Sequence, residues 1–535
     1  MALDRALLRE ALAHGESESG NVEFKTRLSK DIHLAEGRFE SLAAQLRHRI
    51  LSGGGEAVYV VGVTDDGGLA GIDPDAFSES MDVLSLLAQE ADARVAEVET
   101  DRVGDGLVGV ATVVEGSVLA IDDDHLVVGT AGHVDHGKST LVGTLITGRA
   151  DDGDGETRAY LDTKPHEIDR GLSADISYAV YGFADDEAVR LDRPERREDR
   201  AAVVREADRV VSFVDTVGHD PWLRTTIRGL VGGKLDYGLL TVAADDGVTR
   251  TTREHLGILL ATDLPTIVAV TKVDLVDDER LEAVTGEVER LLREVGRTPL
   301  LVARHGVEAA IEEIGDRVVP VVATSAVTLE GLDVLDRLFR DLPKRAGRDG
   351  AFRLYIDRTY TIAGVGPVAS GTVRSGEVSA GDELLLGPFP DGRFEAVTVR
   401  SIEMHHHRVD RARAGQIVGI ALKGIETDAV ERGMALVPPA VDPTPVRAFE
   451  AEVVVLNHPT KITAGYEPVV HLETVSEAAR FEPANRHLLP GDTGRTTVRF
   501  KFGPHLVEPG QRFVFREGKS KGVGTVLDVD PRRAS

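Results

Sequence analysis

The run GTAGHVDHGKST, Gly129 to Thr140, gathers residue types that can hold a polyanion. Gly132 is followed by His133, Val134, Asp135 and His136, then by Gly137, Lys138, Ser139 and Thr140. An apolar run, Leu126 to Val128, precedes the segment and an apolar helical pattern, TLVGTLITG, follows it. Glycines at this spacing between a strand and a helix form a phosphate-binding loop. Backbone N–H groups at the helix N-terminus face the phosphates, Lys138 adds a point charge and the Ser139 hydroxyl can ligate Mg2+. The glycines let the backbone come close to the ligand.

Three further strings qualify that ligand. DTVGH places Asp215 at the end of a strand, where its carboxylate reaches Mg2+ through water, and Gly218 three residues on, where its N–H can sense a terminal phosphate. TKVD, Thr271 to Asp274, follows the strand pattern TIVAV. A carboxylate at Asp274 accepts both N1–H and N2–H of guanine, a donor pair adenine lacks, and the stem of Lys272 can stack on the base. Ser325, Ala326 and Val327 close the last strand pattern and can offer a backbone N–H to guanine O6. Together these strings predict binding of GTP and GDP with Mg2+.

The elements that must carry them follow from periodicity. VVSFVD, YGLLTVA, TIVAVTK and VPVVATSA are β-rich runs separated by amphipathic helices, as expected of a parallel sheet. The charged stretch DDEAVRLDRPERREDRAAVVREADR reads as a solvated insertion. Before this region, helical patterns at 38–51 and 78–95 flank the strand-like AVYVVGV, an α+β arrangement. After AGRDG, short strands broken by Gly, Pro and Asp suggest β-barrels, with the Pro-rich VPPAVDPTP between two of them. The expected fold is therefore multidomain: an α+β domain over 1–122, a P-loop α/β domain over 123–348, and β-barrels over 349–441 and 442–535.

Composition bounds the alternatives. The chain has 535 residues and a mass of 57.4 kDa, too long for one core. It carries no Cys, so disulfides, zinc-thiolate sites and a cysteine nucleophile are excluded. No run of about 18 apolar residues points to a membrane, and the N-terminus lacks a signal-peptide apolar core, so a cytoplasmic, monomeric protein is expected. The net charge is −28, with 12 Lys and 50 Arg among the bases, a balance resembling that of proteins from salt-loving cells. Near molar salt the Debye length is about 3 Å, so the charge does not exclude RNA.

GHVDHGKST, the RGLS of Arg170 to Ser173, DTVGH, TKVD and TSA together resemble a translational GTPase of the elongation factor Tu class. The resemblance implies that His219 positions the attacking water, that Val134 and Leu172 flank it as an apolar gate, and that Asp135 can recruit K+ or Na+ beside the phosphates. It implies a third Mg2+ ligand at Ser173, where the class usually has Thr, and a weakened orienting contact at Thr271, where it usually has Asn. IEMHHHRVDRARAGQIVGIALKGIETDAVERGMAL and AEVVVLNHPTKITAGYEPVVHLETVSEAARF resemble the second and third domains of that class. HHH reads as barrel structure rather than a metal cluster, because alternation separates neighbouring strand residues.

HEIDRGLSADISYAVYGF, LRTTIRGL and GEAVYVVGVTDDG resemble the GTP-binding protein 1 family, over essentially the whole chain. That resemblance implies engagement of aminoacyl-tRNA and the ribosome. GGGEAVYVVGVTDDGGLAGI also resembles the AlbA-like domain of Schlafen-type proteins, implying further RNA contact through the N-terminal domain. The alternative is a GTP-switched RNA-binding adaptor in RNA turnover or ribosome quality control. Lys519, Ser520 and Lys521 replace the run that meets tRNA in elongation factor Tu, leaving Arg516 as a candidate phosphate contact.

Overall fold

The computed structural model describes residues 20–34, 37–64, 67–91, 93–104, 106–115, 124–161, 176–194, 197–216, 229–230, 235–315, 317–345, 350–362, 366–405, 407–518 and 520–529. The N-terminal sheet comprises β1 (Val22–Lys25), β2 (Glu56–Val61), β3 (Ala93–Val103) and β4 (Gly106–Glu115), in the order β1-β2-β4-β3. Two helices, Arg38–Ser52 and Pro74–Glu90, pack Phe39, Leu46, Leu84 and Leu87 against it. The helical pattern expected to reach Val95 stops at Glu90. From Ala93 the chain pairs antiparallel with β4 instead, so the ladder takes up its backbone polar groups.

The central sheet has eight strands: β5 (His125–Gly132), β6 (Ser177–Ala184), β7 (Glu187–Val189), β8 (Arg209–Asp215), β9 (Tyr237–Ala243), β10 (Thr266–Thr271), β11 (Thr298–Leu301) and β12 (Val318–Ala323). Their order is β11-β12-β10-β9-β5-β8-β6-β7, parallel except for β6 and β7. β5 is buried at every position, which accounts for its continuous apolar run. The chain moves to one side of β5 for β6–β8 and to the other for β9–β12. The loop after β5 therefore opens at a switch point, where ligands of open α/β sheets bind.

The charged insertion is not wholly solvated. It forms β7 and the helix Arg197–Glu206, whose Val203 and Val204 are buried in the central core. Its charges dominate composition, but Leu191, Val203 and Val204 are buried and dock it on the central core.

Beyond residue 350 the chain forms two closed barrels. In the first, Arg353–Tyr355, Ala435–Val437, Glu383–Gly387, Glu395–Met404, Ile417–Lys423 and Gly366–Ser375 pair in a ring that closes back on Arg353–Tyr355. In the second, Ala448–Asn457, Thr493–Phe500, Val475–Pro483, Val469–Leu472, Arg512–Glu517 and Ser520–Asp528 close in the same way. Closure leaves no free edge among the ring strands.

Polar bridges join the domains. Tyr178 of β6 donates to Asp357 at 3.0 Å, and the Arg358 guanidinium lies 4.9 Å from the Tyr178 ring centroid. The Ser212 hydroxyl on β8 lies 2.6 Å from His125 Nε2 and 2.7 Å from His405 Nε2, linking β5 to the first barrel. His405 occupies the turn after strand Glu395–Met404 with φ 47°, so a turn rather than strand alternation sets its direction. The second barrel reaches the helix Arg250–Ala261 through Arg512 to the Ala261 carbonyl at 3.1 Å and Lys521 to Glu254 at 3.1 Å. Arg400 pairs with Glu90, and Leu86 packs beside Val368 and Ala421, seating the N-terminal domain on the first barrel. Among the described residues no helix is long and apolar enough to cross a membrane.

Candidate active site

β5 ends at Gly132 and the helix Lys138–Thr147 begins after Gly137. Between them the backbone turns back on itself, with φ 142° at Gly132, 60° at Asp135 and 75° at Gly137. A Cβ on Gly132 would lie 2.4 Å from Thr241 Oγ1 and 2.6 Å from the Thr241 carbonyl, so β9 forbids any side chain there. The Gly132 N–H is already used: it donates to His255 Nδ1 at 2.8 Å. Burial holds His255 down at about 3, keeping the imidazole neutral and able to accept.

His136 is fixed in a similar way. Its Nδ1 accepts from the Ala243 N–H at 3.2 Å, so Nε2 carries the proton and donates to Asp246 at 3.0 Å. Burial lowers its pKa, and the Asp246 contact opposes that shift. Val134 is half-buried and Asp135 is exposed.

Lys138 is buried, and its ammonium donates to the His133 carbonyl at 2.7 Å. Burial lowers its pKa to about 8, against the pull of Asp215 and Asp135. A desolvated ammonium beside a turn of backbone N–H groups is a site for an anion. Asp215 completes this end: its carboxylate accepts from Ser139 Oγ at 2.6 Å and from Thr130 Oγ1 at 2.5 Å. Burial raises its pKa, while the two hydroxyls and Lys138 pull it back. The serine oxygen, in the first turn of the helix, and the carboxylate, at the end of β8, are hard donors, a set that suits Mg2+.

The base end lies on β10 and β12. Thr271 donates through Oγ1 to the His136 carbonyl at 2.9 Å, so this hydroxyl ties β10 to the phosphate loop. Lys272 takes a left-handed conformation, φ 59°, which turns the chain and lets Asp274 follow in a short 3-10 segment. Asp274 accepts from Ser325 Oγ at 2.5 Å, and Ser325 Oγ accepts from the backbone N–H of Val327 at 3.2 Å and Thr328 at 3.0 Å. The Ser325 N–H is bound to the Glu330 carbonyl. Of the three N–H groups in Ser325–Val327, only that of Ala326 lacks an acceptor among the described residues, which singles it out for a base oxygen.

The structure thus brings together Gly132 to Thr140, Asp215, Thr271, Lys272, Asp274 and Ser325 to Val327. Leu172, Ser173, Gly218 and His219 lie outside the described residues. Sequence reasoning missed Thr130, His255 and Asp246. Thr130 had a signal in its position two residues before Gly132 on an otherwise apolar strand. His255 and Asp246 had none, because only the sheet order brings them to the loop.

Fold and site define a GTPase of the elongation factor Tu class. A model of the elongation factor Tu GTP binding domain matches residues 123–344, one of elongation factor Tu domain 2 matches 366–437, and one of the elongation factor Tu C-terminal domain matches 442–530. More particularly, the chain belongs to the family of GTP-binding proteins 1 and 2. It is 33% identical over 533 residues to GTP-binding protein 2 of Mus musculus, covering 96% of this chain and 88% of that protein. It is also 33% identical over 503 residues to GTP-binding protein 1 of Xenopus laevis, covering 92% and 76%. Elongation factor 1-alpha of Methanopyrus kandleri is 35% identical over 381 residues, covering 68% and 83%. Among solved structures, a bacterial selenocysteine-specific elongation factor, EF-Sec, shares the fold with a TM-score of 0.57 at 23% identity, over 75% of this chain and 58% of that one. Elongation factor SelB from Methanococcus maripaludis with the GTP analogue GPPNHP gives 0.56 at 20% identity, over 77% and 80%.

Proposed function

We propose that this GTPase carries aminoacyl-tRNA to the ribosome and that GTP hydrolysis releases it. One observation carries the reading: each barrel is bonded to an element that holds the phosphate loop or pairs with a strand that does. The first barrel grips β6 at Tyr178, next to Ser177, which pairs with Asp215. The second barrel grips the helix Arg250–Ala261, whose His255 accepts the Gly132 N–H. A change at the terminal phosphate therefore has two short paths to the barrels, as a two-state switch requires.

Lys138 neutralises charge on the outer phosphates, and the backbone N–H groups of His133 to Lys138 orient them for in-line attack. Ser139 and Ser173, with Asp215 acting through water, would hold Mg2+, which when bound offsets phosphate charge. Asp135, close enough to Lys138 to raise its pKa, is the candidate ligand for K+ or Na+. His219 positions the attacking water, and the N–H of Gly218 reports whether the terminal phosphate is present. Asp274 and the Ala326 N–H select guanine. The relatives support the delivery role through their names, elongation factor 1-alpha and selenocysteine-specific elongation factor.

The test is GTP turnover by the full chain at high potassium, with and without ribosomes and with aminoacylated or deacylated tRNA. Stimulation by ribosomes with aminoacyl-tRNA is expected. Turnover indifferent to both would refute the delivery role while leaving the GTPase intact.

A further inference from the structure

Between the helix Lys138–Thr147 and the 3-10 turn Thr157–Tyr160 the chain makes a tight loop that touches both ends of the nucleotide site. Asp151 is its buried centre, 6% exposed, whereas Asp152 and Asp154 beside it face solvent. One Asp151 carboxylate oxygen accepts from the N–H of Gly153 at 2.9 Å and of Gly155 at 3.1 Å. The other accepts from the Thr157 N–H at 2.9 Å and the Thr157 hydroxyl at 2.8 Å. A carboxylate is tolerated out of water only when its oxygens are bonded, so the loop folds around this one side chain.

The main chain of the same residue reaches the base end. The Asp151 N–H donates to the Ala326 carbonyl at 2.9 Å. The N–H of Val327, in the same peptide unit as that carbonyl, donates to Ser325 Oγ at 3.2 Å. The peptide joining Ala326 to Val327 is therefore pinned at its oxygen and at its nitrogen, and a peptide is planar and stiff. Pinning it restricts the neighbouring Ala326 N–H, the group left for a base oxygen. Thr157 reaches the phosphate end. It is almost fully buried, its hydroxyl lies 3.1 Å from the Thr140 carbonyl, and a Cβ on Gly143 would lie 2.0 Å from its carbonyl oxygen. The loop is thus packed tightly against the helix that follows the phosphate loop.

We propose that Asp151 is a positioning residue for guanine recognition. Its N–H sets the Ala326 N–H for the base oxygen, and its carboxylate fixes that setting to the phosphate helix through Thr157. The inference rests on the guanine-reading role given above to Asp274 and the Ala326 N–H, and adds to it a residue that acts only through others. Removing the carboxylate frees the turn from Gly153 to Thr157, and the Asp151 N–H drifts with it. The base oxygen is then read less sharply, while Asp274 still accepts N1–H and N2–H. Thr157 makes the second arm: without its hydroxyl the phosphate helix loosens but the base end keeps its setting.

The experiment is competition of GTP, thioguanosine triphosphate and inosine triphosphate against a fluorescent GDP analogue on the full chain. The thio nucleotide keeps N1–H and N2–H but puts sulfur, a poorer acceptor, in place of O6; the inosine nucleotide lacks only the amino group. The parent should prefer GTP to the thio nucleotide by about threefold to tenfold, the range for one ordinary hydrogen bond. In Asp151→Ala that preference should shrink to within about twofold of unity, with the preference over the inosine nucleotide unchanged and GTP affinity down about tenfold. Asp151→Asn, which keeps the shape and one acceptor oxygen, should fall between and stands in if the alanine variant does not fold. Thr157→Val should speed GDP dissociation several-fold with every base preference of the parent. Equal losses for all three nucleotides in the Asp151 variants would make the loop a structural turn and overturn the proposal. Parental GDP dissociation in Thr157→Val would overturn the phosphate arm. A parent chain indifferent between GTP and the thio nucleotide would overturn the Ala326 reading beneath it.

Discussion

Replacing Thr271 by Val tests whether one hydroxyl substitutes for the amide usual at this position. The change is nearly isosteric, so packing around β10 is kept and only the bond to the His136 carbonyl at 2.9 Å is lost. Thr271 and His136 are both almost fully buried, so water does not readily replace the hydroxyl. Loss of an ordinary hydrogen bond costs about 0.5–1.5 kcal/mol, and a buried carbonyl left without its donor costs about 1–3 kcal/mol. The upper figure applies if the loop holds its shape and the lower if it relaxes. At 1.4 kcal/mol per decade, about 1–3 kcal/mol is roughly 5–150-fold in nucleotide affinity. The assay is association and dissociation of a fluorescent GDP analogue, with thermal melting of the nucleotide-free chain alongside. Because the lost bond shapes the loop before any ligand arrives, both affinity and apo stability should fall. Thr271→Ser keeps the hydroxyl and should stay within about threefold of the parent. Equal behaviour of the Val and Ser variants would refute the reasoning, for it would mean that the hydroxyl does not tie β10 to the loop.

Asp274→Asn exchanges a carboxylate acceptor for a carboxamide that both accepts and donates. Guanine affinity should fall by about 1.5–3 kcal/mol for each charge-assisted bond lost, with preference moving to xanthine nucleotides, as competition binding would show. His255→Leu removes the acceptor of the Gly132 N–H and should weaken the central domain by about 1–3 kcal/mol near neutral pH, read from its thermal transition. The sign with pH follows from the lowered pKa. His255 and His125, both held at about 3, contribute stability that is complete above the ordinary 6.5 and is lost as pH falls towards 3. Each adds up to about 1.4 kcal/mol per pH unit, so the Leu variant should show a shallower acid limb than the parent. His219→Ala should leave GTP affinity near normal and abolish ribosome-stimulated turnover, measured by phosphate release; retained stimulation would refute its role in positioning water.

Much of the site was legible because its parts are local in sequence. A loop that must bend at Gly132 and Gly137 around phosphates announces itself by glycine spacing, and the strand before it by an unbroken apolar run. The base end was legible for the same reason, since Thr271 to Asp274 is a single turn. What held these parts in place was not legible. The partners of Gly132 and His136 are His255 and Asp246, more than a hundred residues away, and β9 lies between β5 and β10 only because of the sheet order. The bond from Thr271 to the His136 carbonyl was not legible either, because it joins residues 135 positions apart. The insertion misled through composition, because charge dominates its count while Leu191, Val203 and Val204 fix its place. The end of the helix Pro74–Glu90 was set by pairing of the next segment with β4, a non-local fact.

The link through Ser212 has a consequence in simple proton counting. A hydroxyl has one hydrogen, so of the two imidazole nitrogens facing it one must be a donor and the other an acceptor, and the tautomer of His125 dictates that of His405. Pulling the barrel away removes the Ser212–His405 bond, while the Ser212–His125 bond lies inside the central sheet and stays. Separation therefore costs about 0.5–1.5 kcal/mol at this one point, and it frees the Ser212 hydroxyl to take either role towards His125.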